Sequence, residues 1–389
     1  MKSKNKTRQT REPSGPPLKL YYDVRMLGHS GIGTQVDNVL EFLVADPRVE
    51  LTLLGDPRAI AEHTPNMPNG KVPPRRVIPW KAGIYSVAEQ FTCPTPPEDA
   101  LLLSPHYNAP IRHLKRTVVV LHDLIHLHSR EFMLPHYQMY AHLLLSRIAA
   151  KARGVLTVSE YTRDDFLEHF PRARDKTLVN HNGLNHKLFK PPSRSAVTRF
   201  RKQYDLPKEY LLVVGIGKRH KNIDFVIRSL LPLWREGTLT APLVMGGTGG
   251  KLPEYLEEEF NRAGAREFLR ILPRLPEEEL PAMYGASAIF IMPSLMEGFG
   301  FPVAEAMACG VPVLSSAVTS LPEVGGNAAT YFDPTDPLDF RDRLLEMLRK
   351  PARLKSLGAK GPRQAGKFSW QTHGENLIQA LREFSGRVV

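Results

Sequence analysis

Two glutamates, Glu297 and Glu305, stand eight positions apart in the stretch "PSLMEGFGFPVAEAMACG" (293–310). Between them lie two glycines, two phenylalanines and a proline, a mixture that favours neither an uninterrupted helix nor an uninterrupted strand. Proline is well suited to the first turn of a helix, so we expect a helix to begin at Phe301 and Pro302 and to carry Glu305. The glycines before it would let a ligand approach the backbone closely.

The start of such a helix is suited to binding an anion. Its first N–H groups have no partner within the helix, and they lie at the positive end of the helix dipole. A carboxylate beside a phosphate site can accept hydrogen bonds from the hydroxyls of a ribose. The alternative is an ordinary strand–loop–helix connection in which Glu305 is only a favourable acid in the first turn.

The rest of the chain alternates short apolar runs with helical patterns, which predicts parallel sheets with crossover helices. With 389 residues the chain is too long for one core, and two domains are expected. A polar segment with two prolines, residues 185–195, is typical of a linker. Strands are predicted at 18–24, 49–55, 100–105, 116–123, 154–159, 210–217, 241–250, 267–272, 288–294 and 311–316. Helices are predicted at 35–45, 137–152, 222–234, 254–264, 277–287 and 370–385, and residues 28–34 are predicted to form a loop.

The segment "SLMEGFGFPVAEAMACGVPVL" (294–314) resembles the E-x7-E segment of the retaining glycosyltransferases of family 4, the mannosyltransferase-like group 1 enzymes. The resemblance implies an α/β chain with the GT-B fold, in which two Rossmann-like, doubly wound domains face each other across a donor cleft. Further stretches resemble the family in its own order, namely "DVRMLGHSGIGT" (23–34), "LHDLIHL" (121–127), "TVSEYTRDDF" (157–166), "VVGIGKRHKN" (213–222) and "SSAVTSLPEVGGNAATYFDPTDP" (315–337).

Composition, the predicted linker and this resemblance together divide the chain into four segments. Residues 1–17 are expected to be a disordered basic tail, and residues 18–190 an acceptor-side domain. Residues 191–370 would bind the nucleotide-sugar, and residues 371–389 would form a helix that crosses back to the first domain.

The resemblance also assigns roles to the residues around the two glutamates. Glu305 would bind the ribose hydroxyls of a nucleotide-sugar. Glu297 would contact the 3- or 4-hydroxyl of the donor sugar, next to the reacting carbon. The backbone N–H groups of Phe299, Gly300 and Phe301 would bind sugar hydroxyls or phosphate.

A lysine is expected to neutralise the leaving diphosphate. By resemblance this is Lys221, because a departing diphosphate needs a nearby cation. The family often has an arginine directly before this lysine, whereas this chain has His220, preceded by Lys218 and Arg219. The sequence leaves open which of these three residues assists Lys221.

In the first domain, the resemblance points to His122 and to two glycines. His122, in "LHD", would lie at the end of a strand and assist at the reacting centre. Gly31 and Gly33 would belong to a loop that closes on the phosphates.

A metal site is the rival interpretation of the histidine-rich segment, where His122, Asp123, His126 and His128 lie close together. Zinc sites often show a second cluster of ligands, and Cys93 and Cys309 do not supply one. The sequence also has no D-x-D pair, which commonly binds a metal–diphosphate in the other main glycosyltransferase architecture. We therefore expect no metal and no cofactor, with lysine, arginine and helix N-termini neutralising the phosphates.

The formal net charge is +12, and residues 1–20 contain six Lys and Arg residues against one Glu. This surplus suits phosphate-bearing ligands or an anionic membrane surface. The tail and the basic run of Arg112, His113, Lys115 and Arg116 are the segments expected to meet such a surface. Nucleic acid is not an expected partner, because no zinc-finger, RNA-recognition or basic-helix pattern accompanies the charge.

Together these features predict an enzyme that moves a hexose from a nucleotide-sugar to a glycan or lipid-linked acceptor, with retention and without metal. GDP-mannose is favoured as donor over UDP-glucose, again by resemblance. Two cysteines in 389 residues indicate a cytoplasmic protein, placed by its charge at the inner face of the membrane. The alternatives are a sugar phosphorylase or epimerase on the same fold, and a non-catalytic basic protein that binds nucleic acid or membranes. Nothing in the sequence indicates the oligomeric state.

Overall fold

A computed structural model describes residues 16–28, 30–63, 76–128, 135–215, 217–247, 249 and 251–386. Most of the basic tail, residues 1–15, therefore lies outside the described residues. The described chain forms two all-parallel sheets, each flanked by helices, in agreement with the predicted doubly wound α/β class.

The first sheet has seven strands in the order β3-β2-β1-β4-β5-β6-β7. Its strands are β1 (Leu18–Asp23), β2 (Val49–Gly55), β3 (Val77–Pro79), β4 (Leu101–Ser104), β5 (Thr117–Leu121), β6 (Gly154–Thr157) and β7 (Thr177–Val179). The helices of this half are α1 (Ser30–Ala45), α2 (Pro57–His63), α3 (Val87–Thr92), α4 (Ile125–His128), α5 (Pro135–Lys151) and α6 (Glu160–His169).

The second sheet has six strands in the order β10-β9-β8-β11-β12-β13. Its strands are β8 (Leu211–Val214), β9 (Leu243–Gly246), β10 (Leu269–Ile271), β11 (Ile289–Met292), β12 (Val313–Ser316) and β13 (Ala329–Phe332). The helices are α7 (Arg194–Gln203), α8 (Ile223–Arg235), α9 (Glu254–Ala263), α10 (Leu280–Ala286), α11 (Phe301–Ala308), α12 (Leu321–Gly325), α13 (Pro337–Arg349), α14 (Pro351–Ala365) and α15 (Trp370–Gly386).

The central strands are apolar because helices cover both faces of each sheet. All residues of β5 and of β11 are buried, as expected for parallel strands between two helical layers. The carboxyl ends of β5 and β11 lead into the segments that begin at His122 and Pro293. Ligands of doubly wound sheets bind at such strand ends, so this edge is where a site is expected.

The last helix, α15, packs against the first half of the chain. Gly374 lies against the ring of Phe42, where a Cβ would come within 2.4 Å of the ring, so only glycine fits. Glu375 accepts a hydrogen bond of 2.8 Å from Arg48. The C-terminal helix therefore ties the end of the chain to α1.

The ten strands and six helices predicted from the sequence are present within a few residues of their expected ends. One prediction is wrong: residues 30–34 belong to α1 and not to a loop. Three short edge strands, β3, β7 and β13, were not predicted, and neither were the helices α2, α3, α4, α6, α7, α12, α13 and α14. Among the described residues no helix is both long and apolar enough to span a membrane.

Candidate active site

Glu297 and Glu305 lie on either side of a tight turn between β11 and the start of α11. The helix begins at Phe301 with Pro302 in its first turn, as predicted. Gly300, just before it, has a φ of +98°, a backbone conformation that other residues rarely adopt. Glu297 therefore lies on the loop, and Glu305 lies one turn into the helix.

Glu297 forms an ion pair with Lys221, which ends the short 3-10 turn after β8. Lys221 Nζ lies 2.6 Å from Glu297 Oε1, and only 18% and 13% of the two side chains are exposed. Since a half-buried pair is screened by water much less than a surface pair, this contact fixes both side chains. The structure thus brings together two residues that are 76 positions apart in the sequence.

Glu305 is held by a tyrosine that the sequence did not single out. The Tyr284 hydroxyl, on α10, donates a hydrogen bond of 2.6 Å to Glu305 Oε2. Burial raises the pKa of Glu305 to about 7, although the hydrogen bond from Tyr284 opposes part of that rise. Glu305 is therefore a carboxyl group whose charge changes near neutral pH.

The carbonyl groups of the glycine-rich loop are fixed by Ser320, at the start of α12. Its hydroxyl lies within hydrogen-bond distance of the Glu297 carbonyl oxygen at 2.9 Å and of the Phe299 carbonyl oxygen at 3.1 Å. The N–H groups of Phe299, Gly300 and Phe301 donate to no acceptor within the described part of the chain. The loop is thus held through its carbonyls and leaves three adjacent N–H donors available for a ligand.

The two halves of the chain touch at Gly298. A Cβ built on Gly298 would lie 1.8 Å from the carbonyl oxygen of His122, so only glycine permits this approach. The hydroxyl of Thr162, on α6, lies 3.2 Å from the His122 carbonyl oxygen and 3.4 Å from that of Gly298. This contact places the end of β5 directly against the loop that carries Glu297.

His122 lies at the end of β5, as predicted. Its Nε2 is 2.9 Å from the Pro105 carbonyl oxygen, which can only accept, so Nε2 carries the proton. Burial lowers the pKa of His122, and the ring is neutral with an unprotonated Nδ1. His122 can therefore accept, but not donate, a hydrogen bond at Nδ1.

The three basic residues before Lys221 differ in their surroundings. The guanidinium carbon of Arg219 lies 5.0 Å from the ring centre of Tyr255, a cation–π contact. Lys218 lies near His126 of the first half: burial lowers the pKa of His126, and the charge of Lys218 adds to that lowering. Of the two permanent cations, Lys218 is thus the one close to the first half of the chain.

The two glycines expected in a phosphate loop lie in the first turn of α1 instead. A Cβ on Gly33 would come within 2.7 Å of the Met26 carbonyl oxygen, so this glycine permits close packing of the turn before the helix. A Cβ on Gly31 would be 3.9 Å from the ring of Phe301 across the cleft. The expected loop is therefore wrong, although Gly31 does face the segment that begins α11.

The side chains of His122, Asp123, His126 and His128 do not converge on one common site. Among the described residues, His128, Asp165 and His169 are the set whose ligand atoms come within 4.8 Å of one another. The ring nitrogen Nε2 of His128 lies 2.8 Å from Asp165 Oδ1. His128 thus contacts the carboxylate of Asp165 on α6 and is not grouped with His122. This contact connects α4 to α6.

Polar and aromatic side chains after β4 form a cluster that the sequence interpretation missed. His106 Nδ1 accepts from the N–H of Asn108 at 3.1 Å, so its Nε2 donates to the Tyr85 hydroxyl at 2.8 Å. Burial lowers the pKa of His106 to about 3. Tyr85 has a φ of +64°, a strained conformation often found at functional sites, and Nδ2 of buried Asn108 has no partner among the described residues. The only signal in the sequence was the polar "SPHYN" directly after a buried strand.

Glu323, in the segment "LPEV", links the second half of the chain to the first. Its carboxylate accepts hydrogen bonds from the backbone N–H groups of Glu160 and Tyr161, at 2.9 and 3.3 Å, at the start of α6. His181 Nε2 lies 2.5 Å from Glu323 Oε1. Burial would raise the pKa of Glu323, but these hydrogen bonds outweigh it and hold the pKa below its usual range.

Two protein-family models match this chain. Residues 29–188 match the model described as Glycosyltransferase Family 4, and residues 196–364 match the model described as Glycosyl transferases group 1. The two matches fall on the first and second sheets, respectively.

Curated relatives include several mannosyltransferases. The chain is 30% identical over 286 residues to the O-antigen chain mannosyltransferase B of Escherichia coli, covering 73% of this chain and 74% of that protein. It is also 30% identical to the serotype-specific mannosyltransferase WbdA of Escherichia coli, covering 68% of this chain but 33% of WbdA. A D-inositol 3-phosphate glycosyltransferase of Streptomyces avermitilis is 30% identical, covering 58% of this chain and 50% of that protein.

Two solved structures with the same fold cover nearly the whole chain. Sucrose-phosphate synthase from Thermosynechococcus elongatus superposes with a TM-score of 0.73 at 19% identity, covering 95% of this chain and 99% of that one. HepE from Anabaena, solved in complex with UDP and glucose, gives a TM-score of 0.71 at 16% identity, covering 94% and 100%. At these identities the superpositions establish the fold.

Proposed function

This chain belongs to the group 1 glycosyltransferases and has the GT-B fold, and on that basis we propose that it transfers mannose from GDP-mannose to a hydroxyl group of a glycan or lipid-linked acceptor. The observation that carries the proposal is the group formed by Lys221, Glu297 and Glu305 around three available N–H donors. Mannose is favoured because relatives at 30% identity are named mannosyltransferases.

The donor is proposed to lie along the loop between β11 and α11. Glu305 binds the ribose hydroxyls through Oε1, because Oε2 is occupied by Tyr284. The loop N–H groups and Lys221 bind the diphosphate, and Lys218 supplies the second cation from the same turn. Glu297 then contacts the sugar hydroxyls next to the reacting carbon.

Glycosyl transfer is proposed to proceed with retention and without metal. The acceptor oxygen attacks C1 on the face from which the diphosphate departs, as the C1–oxygen bond to the phosphate breaks. The acceptor proton passes to the departing phosphate oxygen, and a nucleoside diphosphate leaves. Lys221, Lys218 and the loop N–H groups stabilise the charge that develops on the phosphate, which is the largest contribution such a site makes.

His122 is proposed to position the sugar rather than to transfer a proton. A neutral imidazole with a free Nδ1 can accept a hydrogen bond from a sugar hydroxyl, which holds the donor against Glu297. Its backbone carbonyl already contacts Gly298, so this residue lies beside the loop proposed to bind the donor.

The acceptor is proposed to bind over the first sheet, in the cluster of Tyr85, His106 and Asn108. Aromatic faces suit a sugar ring, and the unpartnered Nδ2 of Asn108 suits a hydroxyl. We place the reaction at the cytoplasmic face of the membrane, where a lipid-linked acceptor would be presented.

A thermal-shift panel of nucleotide-sugars, followed by product analysis, tests the proposed function. GDP-mannose should raise the unfolding temperature in a concentration-dependent way, because a ligand that binds the folded state stabilises it. If UDP-glucose stabilises the protein instead, the donor assignment changes from GDP-mannose to UDP-glucose, and the enzyme class stays the same. Phosphorolysis of a glycoside by orthophosphate, or epimerisation of a nucleotide-sugar alone, would overturn the transfer reaction.

A further inference from the structure

Large hydrophobic side chains are exposed in one region of the first half of the chain. Eight such residues are found in the described structure, and seven of them lie within two short segments, 85–91 and 137–143. The seven are Tyr85, Val87, Phe91, Tyr137, Met139, Tyr140 and Leu143. Monomeric proteins rarely expose such a contiguous group unless it binds something.

Helix α5 has two apolar faces. One face is buried in the core through Ala141, Leu144, Leu145 and Ile148. On the other, Met139 and Leu143 stand one helical turn apart with 70% and 51% of their surface exposed. Packing in the first half therefore explains one face of this helix, and the described part of the chain leaves the other face exposed.

Helix α3 joins the same surface. Val87 and Phe91 are one turn apart on α3 and are 77% and 70% exposed. Gln90, between them, accepts a hydrogen bond from the N–H of Ile111, and the Tyr140 hydroxyl of α5 donates to Asn108 Oδ1. Both helices thus border the segment 106–116, and their exposed side chains lie on either side of it.

The charge of this surface is mainly positive. The 3-10 turn Ile111–Arg116 lies next to both helices and carries Arg112, Lys115 and Arg116. Neither this turn nor α5 contains an Asp or Glu, and the one acid of α3, Glu89, is buried against Arg25. Arg116 forms an ion pair of 3.3 Å with the exposed Glu98, whereas Arg112 and Lys115 form no ion pair within the described part of the chain. Exposed apolar side chains are therefore flanked by two cations without a carboxylate partner.

We propose that this hydrophobic–basic surface, formed by α3, α5 and the turn 111–116, docks onto a bilayer that contains anionic lipid. Apolar and aromatic side chains enter the boundary between headgroups and acyl chains, and the basic side chains bind the headgroups. A second copy of the chain fits less well, because a two-fold contact would bring the same basic turns together. The partner class thus follows from the charge as well as from the exposed apolar area.

The location of this surface connects it to the proposed acceptor site. This one step of the inference rests on the proposed function. Tyr85 and Tyr140 belong both to the surface and to the cluster around His106 and Asn108 beside the cleft. An acceptor anchored in the membrane would therefore present its sugar next to the proposed acceptor cluster.

Vesicle flotation with the full chain tests the docking surface. Vesicles of equal parts phosphatidylglycerol and phosphatidylcholine should bind the protein, and vesicles of phosphatidylcholine alone should bind it at least about tenfold more weakly. Binding should fall with added salt because the headgroup contacts are electrostatic.

Two double variants and one control locate the contact. Phe91→Ser with Leu143→Ser should lower vesicle binding at least about tenfold, and Arg112→Glu with Lys115→Glu should abolish the preference for anionic lipid. Leu338→Ser removes the eighth exposed side chain, on α13 of the second half, and should change nothing. Circular dichroism and the thermal shift caused by the donor confirm that each variant is folded and report on the proposed function separately.

Three results would overturn the proposal. Wild-type protein that does not bind anionic vesicles contradicts it, as does a Phe91/Leu143 variant that binds as well as wild type. A concentration-dependent dimer in sedimentation experiments, lost in the same variant, would show that a second copy covers the surface instead.

Discussion

Lys221 Nζ and Glu297 Oε1 lie 2.6 Å apart, so the cation proposed to hold the diphosphate and the carboxylate proposed to contact the sugar neutralise each other. A diphosphate entering the cleft would compete with Glu297 for the ammonium group. Binding of the donor phosphates would then free the carboxylate to accept hydrogen bonds from the sugar. The ion pair thus couples the two ends of the proposed reacting centre.

Replacing either member of this pair should stop transfer without unfolding the protein. Lys221→Met and Glu297→Gln should each lower kcat at least about 100-fold, because each removes a charged group next to the reacting bond. Initial rates with GDP-mannose and a mannoside acceptor measure this. Arg343→Met, which breaks the exposed pair with Asp339 on α13, is the matched control and should retain wild-type rates. Near-normal turnover in the Lys221 or Glu297 variant would contradict the assignment.

Donor affinity should depend on pH through Glu305. Burial raises the pKa of its carboxyl group to about 7, and the ionised form is the better acceptor for ribose hydroxyls. Affinity should therefore rise with pH, by up to about tenfold per unit below pH 7, and level off above it. Isothermal titration of the nucleoside diphosphate between pH 5.5 and 8.5 would measure the dependence.

The variant Glu305→Gln provides the control for this prediction. It keeps the shape of the side chain but cannot ionise, so its affinity should be low and nearly constant over the same range of pH. An unchanged pH dependence in this variant would assign the titration to another group.

The sequence predicted the parts of the fold that depend on local patterns. The central strands β5 and β11 are continuous apolar runs, and α15 has a clear helical period, so each was found close to its observed ends. The start of α11 at Phe301 also followed from a local rule, the preference of proline for the first turn.

Some missed features depend on contacts distant in sequence or on a few residues, whereas the long helices α13 and α14 were missed although their pattern is local. Edge strands β3 and β7 have three residues each, too few to show a period. The start of α1 was placed too late because Gly31 and Gly33 favour a loop, whereas Gly33 is required there by the closeness of the Met26 carbonyl. The contact of Glu323 with Glu160 spans 163 positions and has no local signal.

Gly298→Ala tests the contact between the two halves at the site. The added methyl carbon would lie only 1.8 Å from the His122 carbonyl oxygen. The loop and the end of β5 must therefore move apart. We expect a loss of at least about tenfold in kcat/KM together with about 1–3 kcal/mol of stability. Kinetics and chemical denaturation measure the two effects.

Gly83→Ala is the matched control for that substitution, because nothing lies within 4 Å of the added methyl group. It should leave both quantities unchanged. If Gly298→Ala were as active and as stable as this control, the close approach of Gly298 to His122 would not exist in solution.

Glu323 should stabilise the contact between the two halves in a pH-dependent way. Its pKa in the folded protein is lowered by the hydrogen bonds from His181 and from the start of α6, which together outweigh the effect of burial. A lowered carboxyl pKa means that the stabilisation is complete above the unfolded value near 4.5 and is lost as the pH falls through the folded value. Glu323→Gln should therefore lower the free energy of unfolding by about 1–3 kcal/mol at pH 7, and the difference from wild type should shrink below about pH 4.5.

Glu279→Gln, whose partner Tyr204 lies in the same half of the chain, should show no loosening of the two halves in small-angle scattering, whereas Glu323→Gln should. A stability difference for Glu323→Gln that stays constant from pH 7 to pH 4 would mean that this carboxylate does not act through its charge.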